Sequence, residues 1–162
     1  MLQSGTEVPT FHGLPLETVK GNFTGQVRAG IGQRWLKPVA LPGWERAWAI
    51  REGTVIVGHL NLKGAPLASG LHRVTLGMAL ERAHIGQGHG RRLLEAAIIW
   101  ARKEGISWID LGVFAANGPA IALYTKLGFV ETGRKRDFYR LKGQMIEDIE
   151  MSLNLELRET AQ

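Results

Sequence analysis

The chain has 162 residues, of which 44% are hydrophobic and 22% charged, with a formal net charge of +5 and no cysteine. This length suffices for one domain with a substantial core and is too short for two ordinary domains. The lack of cysteine excludes disulfides, thiolate metal ligands and cysteine nucleophiles, and it favours a bacterial cytoplasmic protein. We expect no membrane span, because no run of about 18 apolar residues is present, and no secretory signal at the N-terminus.

The positive charge is compatible with ordinary solubility or with an anionic ligand. Basic residues are spread along the chain and do not alternate with aromatic residues as in a base-stacking surface, so no nucleic-acid partner is expected. A small polyphosphate ligand would account for the charge equally well. The five histidines match no zinc-binding spacing, so no metal is expected either.

The N-terminal third of the chain is the hardest to interpret. Residues 1–43 are expected to form a variable helical segment, with one or two short helices joined by mobile turns, because glycines interrupt its helical patches. From Trp44 onwards, ERAWAIREG and TVIVGHLNLKG predict a hairpin that turns at Glu52-Gly53. LHRVTLGMAL predicts a third strand, in which Gly77 indicates a bulge or a close backbone approach. One face of this strand carries Val74, Leu76, Met78 and Leu80.

Two helices and three further strands complete the pattern. GRRLLEAAIIWARKEG has apolar residues at helical spacing, and ISWIDLGVF is typical of a buried central strand. Asn117 and Pro119 predict the start of another helix, which Gly128 ends. FVETGRKRDFYRLKG and QMIEDIEMSL predict a last pair of strands. The succession predicts a single α/β domain over residues 1–162, with a mixed, mostly antiparallel sheet, a central βαβ unit and flanking helices.

The segment HIGQGHGRRLLEAA, residues 84–97, places three glycines within five positions directly before a helix. Free amides, the helix dipole and the missing Cβ atoms would favour an anion there, whereas a flexible turn without a ligand is the alternative. A P-loop would need Gly-Lys-Ser/Thr, but Gly90 is followed by Arg91 and Arg92. A dinucleotide-binding loop would space its glycines as G-x-G-x-x-G. Neither of these phosphate sites matches.

Two motifs resemble those of the GCN5-related N-acetyltransferase (GNAT) family. IGQGHG, residues 85–90, is similar to the family's pyrophosphate loop, Arg/Gln-x-x-Gly-x-Gly/Ala, although Ile85 replaces the Arg or Gln. NGPAIALYTKLGF, residues 117–129, is similar to its signature Asn-x-x-Ala-x-x-Leu-Tyr-x-x-x-Gly-Phe. The resemblance covers residues 72–153 and, more loosely, the strands at 44–64. It implies a GNAT-like fold and an acetyl-CoA-dependent transferase that moves the acetyl group directly to a primary amine of a small molecule or protein N-terminus.

The resemblance also implies roles for individual residues. Tyr124 would lie near the thioester sulfur and protonate the leaving thiolate, although a core aromatic on an amphipathic helix is the alternative role. Asn117 would contact the pantetheine region. Backbone groups at the end of the third strand would bind the pantetheine arm and the acetyl carbonyl, namely those of Met78, Ala79 and Leu80. Amides of the glycine segment would hold the pyrophosphate, namely those of Gly86, Gln87, Gly88, His89, Gly90 and Arg91.

The base that deprotonates the acceptor amine is less well defined. Glu81, directly after Leu80, is the candidate, and an exposed loop carboxylate is an equal alternative. Asp110 is expected to pair with a basic residue such as Arg73. The tail GRKRDFYRLKGQMIEDIEMSL resembles that of family members that acetylate protein N-termini, which carry a glutamate on the fifth family strand. Gly112 stands at that place, so the matching base is absent.

Function classes other than catalysis stay open at this stage. A non-catalytic acyl-CoA-binding regulatory module on the same fold would retain the loop and not need the tyrosine acid. A basic nucleic-acid-binding domain would bind in a strongly salt-dependent way. Family analogy suggests a homodimer, and the acceptor amine is not defined by the sequence.

Overall fold

The computed structural model describes residues 32–156. The predictions for the N-terminal helical segment therefore fall mostly on residues outside the described part. Within its described residues, 32–43, the stretch 32–36 is helical. None of the helices in the described range is long and apolar enough to cross a membrane.

After Trp44, the described residues form six strands and two α-helices in the predicted order. They are β1 (Glu45–Glu52), β2 (Val55–Gly64), β3 (Arg73–Leu80), α1 (His89–Lys103), β4 (Trp108–Phe114), α2 (Gly118–Lys126), β5 (Val130–Leu141) and β6 (Gln144–Asn154). The strands form one sheet in the order β1-β2-β3-β4-β6-β5, in which only β3 and β4 pair in parallel. The predicted mixed sheet with a central βαβ unit is confirmed.

Both helices pack on one face of the sheet and bury the main core there. The predicted apolar stripe of α1 is confirmed, since Leu93, Leu94, Ala97, Ile98 and Ala101 are all buried. Alternate residues of the central strands point into the same core, among them Ile109, Leu111 and Val113. The intervening residues of β4, Asp110, Gly112 and Phe114, therefore lie on the opposite face, because strand side chains alternate.

Gly77 does not mark a bulge, because the β2–β3 register runs through it without a shift, with Asn61 opposite. A Cβ atom on Gly77 would lie 2.7 Å from Oδ1 of Asn61. The Asn61 amide in turn donates a hydrogen bond of 2.8 Å to Glu45. Of the two predicted explanations, the close approach to the backbone is therefore the correct one, and a side chain from the neighbouring strand makes it.

Candidate active site

The two parallel strands separate after a short paired stretch. β3 and β4 pair at only three positions, Arg73 with Trp108, Val74 with Ile109 and Thr75 with Asp110. Residues 76–80 of β3 and 111–114 of β4 continue beyond that point without pairing to each other. We call this region the strand opening. Such a divergence beside a crossover helix is where α/β folds bind ligands.

The end of β3 offers backbone groups to the strand opening. Met78, Ala79 and Leu80 pair with β2 on one side, opposite Leu60, His59 and Gly58. Their other backbone edge faces the strand opening, where β4 has turned away. The side chains of Met78 and Leu80 pack against the core. The backbone edge of this segment is therefore free of strand pairing on the side of the strand opening, and its predicted contact with the cofactor stays a prediction.

The glycine loop, residues 85–90, links the end of β3 to α1. Gly86 and Gly88 both have φ of +82°, a left-handed conformation that glycine adopts without strain, and Gly88 is the N-cap of α1. A Cβ atom at either position would meet no atom within 4 Å, so the space beside both is open. The Gln87 side chain folds back to the Ala83 carbonyl. The loop thus combines open backbone with a helix N-terminus, which suits an anion.

Gly90 has a different reason to be glycine. It is buried in the first turn of α1, where a Cβ atom would lie 3.0 Å from Leu123 and 3.3 Å from Leu80. This glycine lets α1 pack closely against α2 and the end of β3. Arg91, next in the helix, directs its guanidinium to Glu95 with a hydrogen bond of 2.7 Å.

Tyr124 lies on α2, on the helix-packed face of the sheet. It is 6% exposed and packs against Phe129 with a ring separation of 5.6 Å. Burial raises the pKa of Tyr124 to about 12, because desolvation disfavours the phenolate. At neutral pH the phenol therefore keeps its proton. This environment fits both the core-aromatic role and a proton donor.

Asn117 caps α2, as the sequence predicts. Its side-chain oxygen accepts a hydrogen bond of 3.3 Å from the Ala120 amide, and Pro119 follows in the first turn. The helix ends before Gly128, which has φ of +91°. The Asn117 oxygen is thus engaged in the cap, and the predicted pantetheine contact stays a prediction.

Glu81 follows β3 directly, and its amide donates a hydrogen bond of 2.9 Å to the Val57 carbonyl. Its carboxylate is 57% exposed and lies 3.8 Å from Nδ1 of His84. The structure thus places Glu81 at the end of the strand opening without a buried environment.

An acidic residue missed in the sequence reaches the glycine loop from the other side. Glu52, at the end of β1, lies 3.2 Å from Nε2 of His84 and 3.4 Å from Nε2 of His89. It holds the tip of the β1–β2 hairpin against the loop. No group of three or more His, Asp or Glu residues in the described range has an arrangement that could hold a metal ion.

Asp110 has the structural role predicted for it. Arg73 donates hydrogen bonds of 2.8 and 2.6 Å to its two carboxylate oxygens, and Ser152 donates a third of 2.6 Å. Hydrogen bonding to Asp110 raises the pKa of the Arg73 guanidinium. Asp110 is thus a fixed ion-pair partner where β3 and β4 meet.

A second missed residue, Asp148, occupies the place where a side chain on Gly112 would be. A Cβ atom on Gly112 would lie 2.7 Å from Oδ2 of Asp148. Asp148 lies on β6, opposite Phe114, and is 3% exposed. No sequence motif signals it, since only strand register brings it to Gly112. It is the one aspartate or glutamate in the described residues that is this deeply buried.

Comparisons with known proteins agree on one family. The family model of the acetyltransferase (GNAT) family matches residues 26–129. The ribosomal protein bS18 alanine N-acetyltransferase of Escherichia coli is 34% identical over 107 residues, which cover 62% of this chain and 72% of that protein. A mycothiol acetyltransferase of Jonesia denitrificans is 35% identical over 96 residues, covering 59% of this chain but only 30% of that protein.

Solved structures share the fold. The structure of yncA, a putative acetyltransferase from Salmonella typhimurium with its cofactor acetyl-CoA, superposes with a TM-score of 0.66 at 22% sequence identity. The match covers 83% of this chain and 72% of that one. At this identity the likeness shows the fold alone.

Proposed function

The chain belongs to the GNAT acetyltransferase family, and from this premise we propose that it is an acetyl-CoA-dependent N-acetyltransferase acting on a primary amine. The observation that carries the proposal is the strand opening. There, β3 and β4 separate after three paired positions, and β3 continues towards the glycine loop. An extended ligand with an anionic part fits this geometry, since free strand backbone and a helix N-terminus follow each other along the chain.

The residues present fit the cofactor. Backbone amides of Gly86, Gln87, Gly88, His89, Gly90 and Arg91 would hold the pyrophosphate at the start of α1. The unpaired edge of Met78, Ala79 and Leu80 would bind the pantetheine arm and polarise the acetyl carbonyl. The Salmonella structure of the same fold holds acetyl-CoA as its cofactor, which supports acetyl-CoA as the ligand. When bound, acetyl-CoA supplies the acetyl group and a thiolate that leaves.

Tyr124 would supply the proton for the leaving sulfur. Because burial holds its pKa at about 12, the phenol is fully protonated at neutral pH and available as a donor. Asn117 would position the pantetheine region from the start of α2. Glu81 is the predicted base at the end of the strand opening, and its exposed position is compatible with proton transfer through water.

The acceptor is either a small amine or a protein N-terminus. The name of the Escherichia coli relative, which acts on the alanine of a ribosomal protein, makes a peptide with N-terminal alanine the first acceptor to assay. The N-terminal-acetylating enzymes that the tail resembles carry a glutamate where this chain has Gly112, so acceptor preference is expected to differ from theirs.

The proposal is tested first by ligand-dependent thermal stability, with acetyl-CoA, NAD and ATP at equal concentration. A ligand at 100 times its dissociation constant adds about 2.7 kcal/mol to the free energy of unfolding, so a selective shift with acetyl-CoA is expected. Release of the CoA thiol in the presence of a panel of amines then measures turnover. A folded protein that shows no acetyl-CoA shift would contradict the proposal. A shift without turnover on any amine would favour the non-catalytic acyl-CoA-binding module.

A further inference from the structure

Asp148 is a buried carboxylate beside the strand opening. It lies across from Phe114, at the end of β4, four residues beyond Asp110, where pairing with β3 stops. Its oxygen reaches towards Gly112, half-way along the unpaired part of β4. Keeping a carboxylate out of water costs several kcal/mol unless its surroundings compensate, so such groups often mark functional sites.

Gly112 provides the space that the carboxylate occupies. A side chain there would collide with Asp148, because even its Cβ atom would lie 2.7 Å from one carboxylate oxygen and 3.3 Å from the other. The Gly112 φ is not in the left-handed region, so its backbone conformation does not require glycine. We infer that glycine stands at position 112 because the Asp148 carboxylate needs the space of a side chain there.

Titratable side chains of β5 and β6 lie around Asp148. They include Lys135 and Tyr139 of β5 and Glu150 of β6. Lys135, directly opposite in register, forms its ion pair with Glu150 and lies 4.9 Å from the Phe138 ring. Asp148 contributes to raising the pKa of Tyr139, whose largest cause is burial.

β5 has a bulge next to the position opposite Asp148. Between Lys135 and Tyr139 the strand takes four residue steps against two on β6, so it bulges, and Asp137 adopts φ of +50°. The bulge places Tyr139 against Phe114 in an edge-to-face contact of 5.4 Å, and Phe138 makes a second edge-to-face contact with Tyr139 at 4.7 Å. Bulges next to active sites commonly redirect side chains in this way. Phe114, Tyr139 and Phe138 thus form an aromatic wall beside the Asp148 carboxylate.

The candidate proton donor and the buried carboxylate lie on opposite faces of the sheet. Tyr124 lies on the face covered by α1 and α2, whereas Gly112, Phe114 and Asp148 lie on the other face. A thioester held in the strand opening would therefore lie between Tyr124 on one face and Asp148 on the other. We propose that Asp148, and not the exposed Glu81 expected from the sequence, is the carboxylate that binds the acceptor ammonium and takes its proton. This inference rests on the proposed acetyltransferase function.

The proton balance is as follows. The acceptor enters as an ammonium, and Asp148 removes one proton to leave a neutral amine. The amine nitrogen forms a bond to the acetyl carbon while the carbon–sulfur bond breaks, and Tyr124 protonates the departing thiolate. The second proton lost from nitrogen restores Tyr124 through water, and Asp148 releases its proton to solvent. Net, an ammonium and acetyl-CoA give an amide, CoA thiol and one proton.

The test uses Asp148→Asn in the full chain, with an N-terminal-alanine peptide and a panel of small primary amines as acceptors. Because a general base contributes about 100-fold or more, kcat/KM at neutral pH should fall by at least that factor. The acetyl-CoA-induced thermal shift should be unchanged. The deficit should shrink as pH rises, because the amine then loses its proton to solvent, and a merely structural role would not produce this recovery.

Two further variants serve as comparisons. Glu131→Gln removes an exposed carboxylate of β5 that pairs with Arg134, away from Asp148, and should leave kcat/KM within about twofold. Glu81→Gln removes the carboxylate predicted from sequence. Full activity of Asp148→Asn would overturn the inference. So would a loss of kcat/KM in Glu81→Gln that Asp148→Asn does not show. If wild-type protein acetylates none of the amines, the proposed function itself fails, which is a separate outcome.

A double variant that moves the carboxylate to another strand separates the loss of a base from a folding defect. Gly112→Glu combined with Asp148→Ala moves the carboxylate from β6 to β4 and removes the collision that Gly112→Glu alone would cause. We expect this double variant to be at least about tenfold more active than Asp148→Ala, with acetyl-CoA binding retained. A folded double variant that binds acetyl-CoA and is no more active than Asp148→Ala would count against the inference.

Discussion

Arg73 and Asp110 are joined by two hydrogen bonds, of 2.8 and 2.6 Å, where the last of the three β3–β4 pairs forms. Ser152 adds a third bond to the same carboxylate from β6. The planar guanidinium of Arg73 bonds both carboxylate oxygens of Asp110, so the pair fixes the relative orientation of the two side chains as well as their distance. This contact ties the strands together immediately before the strand opening, and we infer that it sets where the opening begins.

Asp110→Ala should therefore lower the free energy of unfolding by about 1–3 kcal/mol, because it leaves partly buried donors on Arg73 and Ser152 without their acceptor. Urea denaturation measures the loss. Ser152→Ala removes one neutral donor and should cost about 1 kcal/mol or less. Equal losses in the two variants would show that the Arg73 contact adds nothing beyond the serine bond.

Gly88→Ala should weaken acetyl-CoA binding. The variant forces an alanine into φ of +82° and adds a methyl group beside the amides at the start of α1. Gly105→Ala is the matched control, since Gly105 has φ of +73° and equally open space but lies beyond the other end of α1. Both should lose about 1 kcal/mol of stability. Only Gly88→Ala should raise the acetyl-CoA dissociation constant in a calorimetric titration, and a matching rise for Gly105→Ala would refute the loop assignment.

Gly90→Val should destabilise the fold through crowding. Its Cβ would lie 3.0 Å from Leu123, and overpacking of this kind costs about 1–3 kcal/mol. Leu123→Ala removes the crowded atoms, so the double variant should lose less stability than the sum of the two single variants. Strict additivity in a denaturation cycle would contradict the contact between α1 and α2 described above.

The succession of elements could be predicted because local pattern determines it. The stripe that includes Leu93 and Leu94 predicts α1, and the Asn117 cap with Pro119 predicts the start of α2, since both signals act within one or two helical turns. The glycine loop and Tyr124 could be singled out because motif spacing carries them.

Contacts between distant segments could not be predicted in the same way. Asp148 faces Gly112 only because β6 pairs with β4 in one particular register, and a shift by one residue would turn its carboxylate to the other face. Glu52 meets His84 and His89 because the β1–β2 hairpin extends beside the end of β3. Strand register is not visible in any local pattern of a single sequence. Asp148 and Glu52 are therefore indistinguishable in the sequence from ordinary charged surface residues.

Tyr124→Phe should lower turnover far more than cofactor affinity. The change removes the proposed proton donor and keeps the ring that packs on Phe129. We expect kcat to fall about 100-fold or more, with the acetyl-CoA dissociation constant within about twofold. Release of CoA thiol and a binding titration measure the two. An unchanged kcat would exclude Tyr124 as the acid and leave it as a core aromatic.

The same residue should also make the fold sensitive to alkaline pH. Burial raises the pKa of Tyr124 from 10.0 to about 12, so between these values the unfolded chain has lost the proton while the folded chain keeps it. The free energy of unfolding should therefore be unaffected by this group below pH 10 and fall as pH rises towards 12. At pH 11 the loss is about 1 kcal/mol. Urea denaturation at pH 8 and pH 11 should show a smaller alkaline loss in Tyr124→Phe than in wild type, and identical losses would mean that the phenol is not buried in solution.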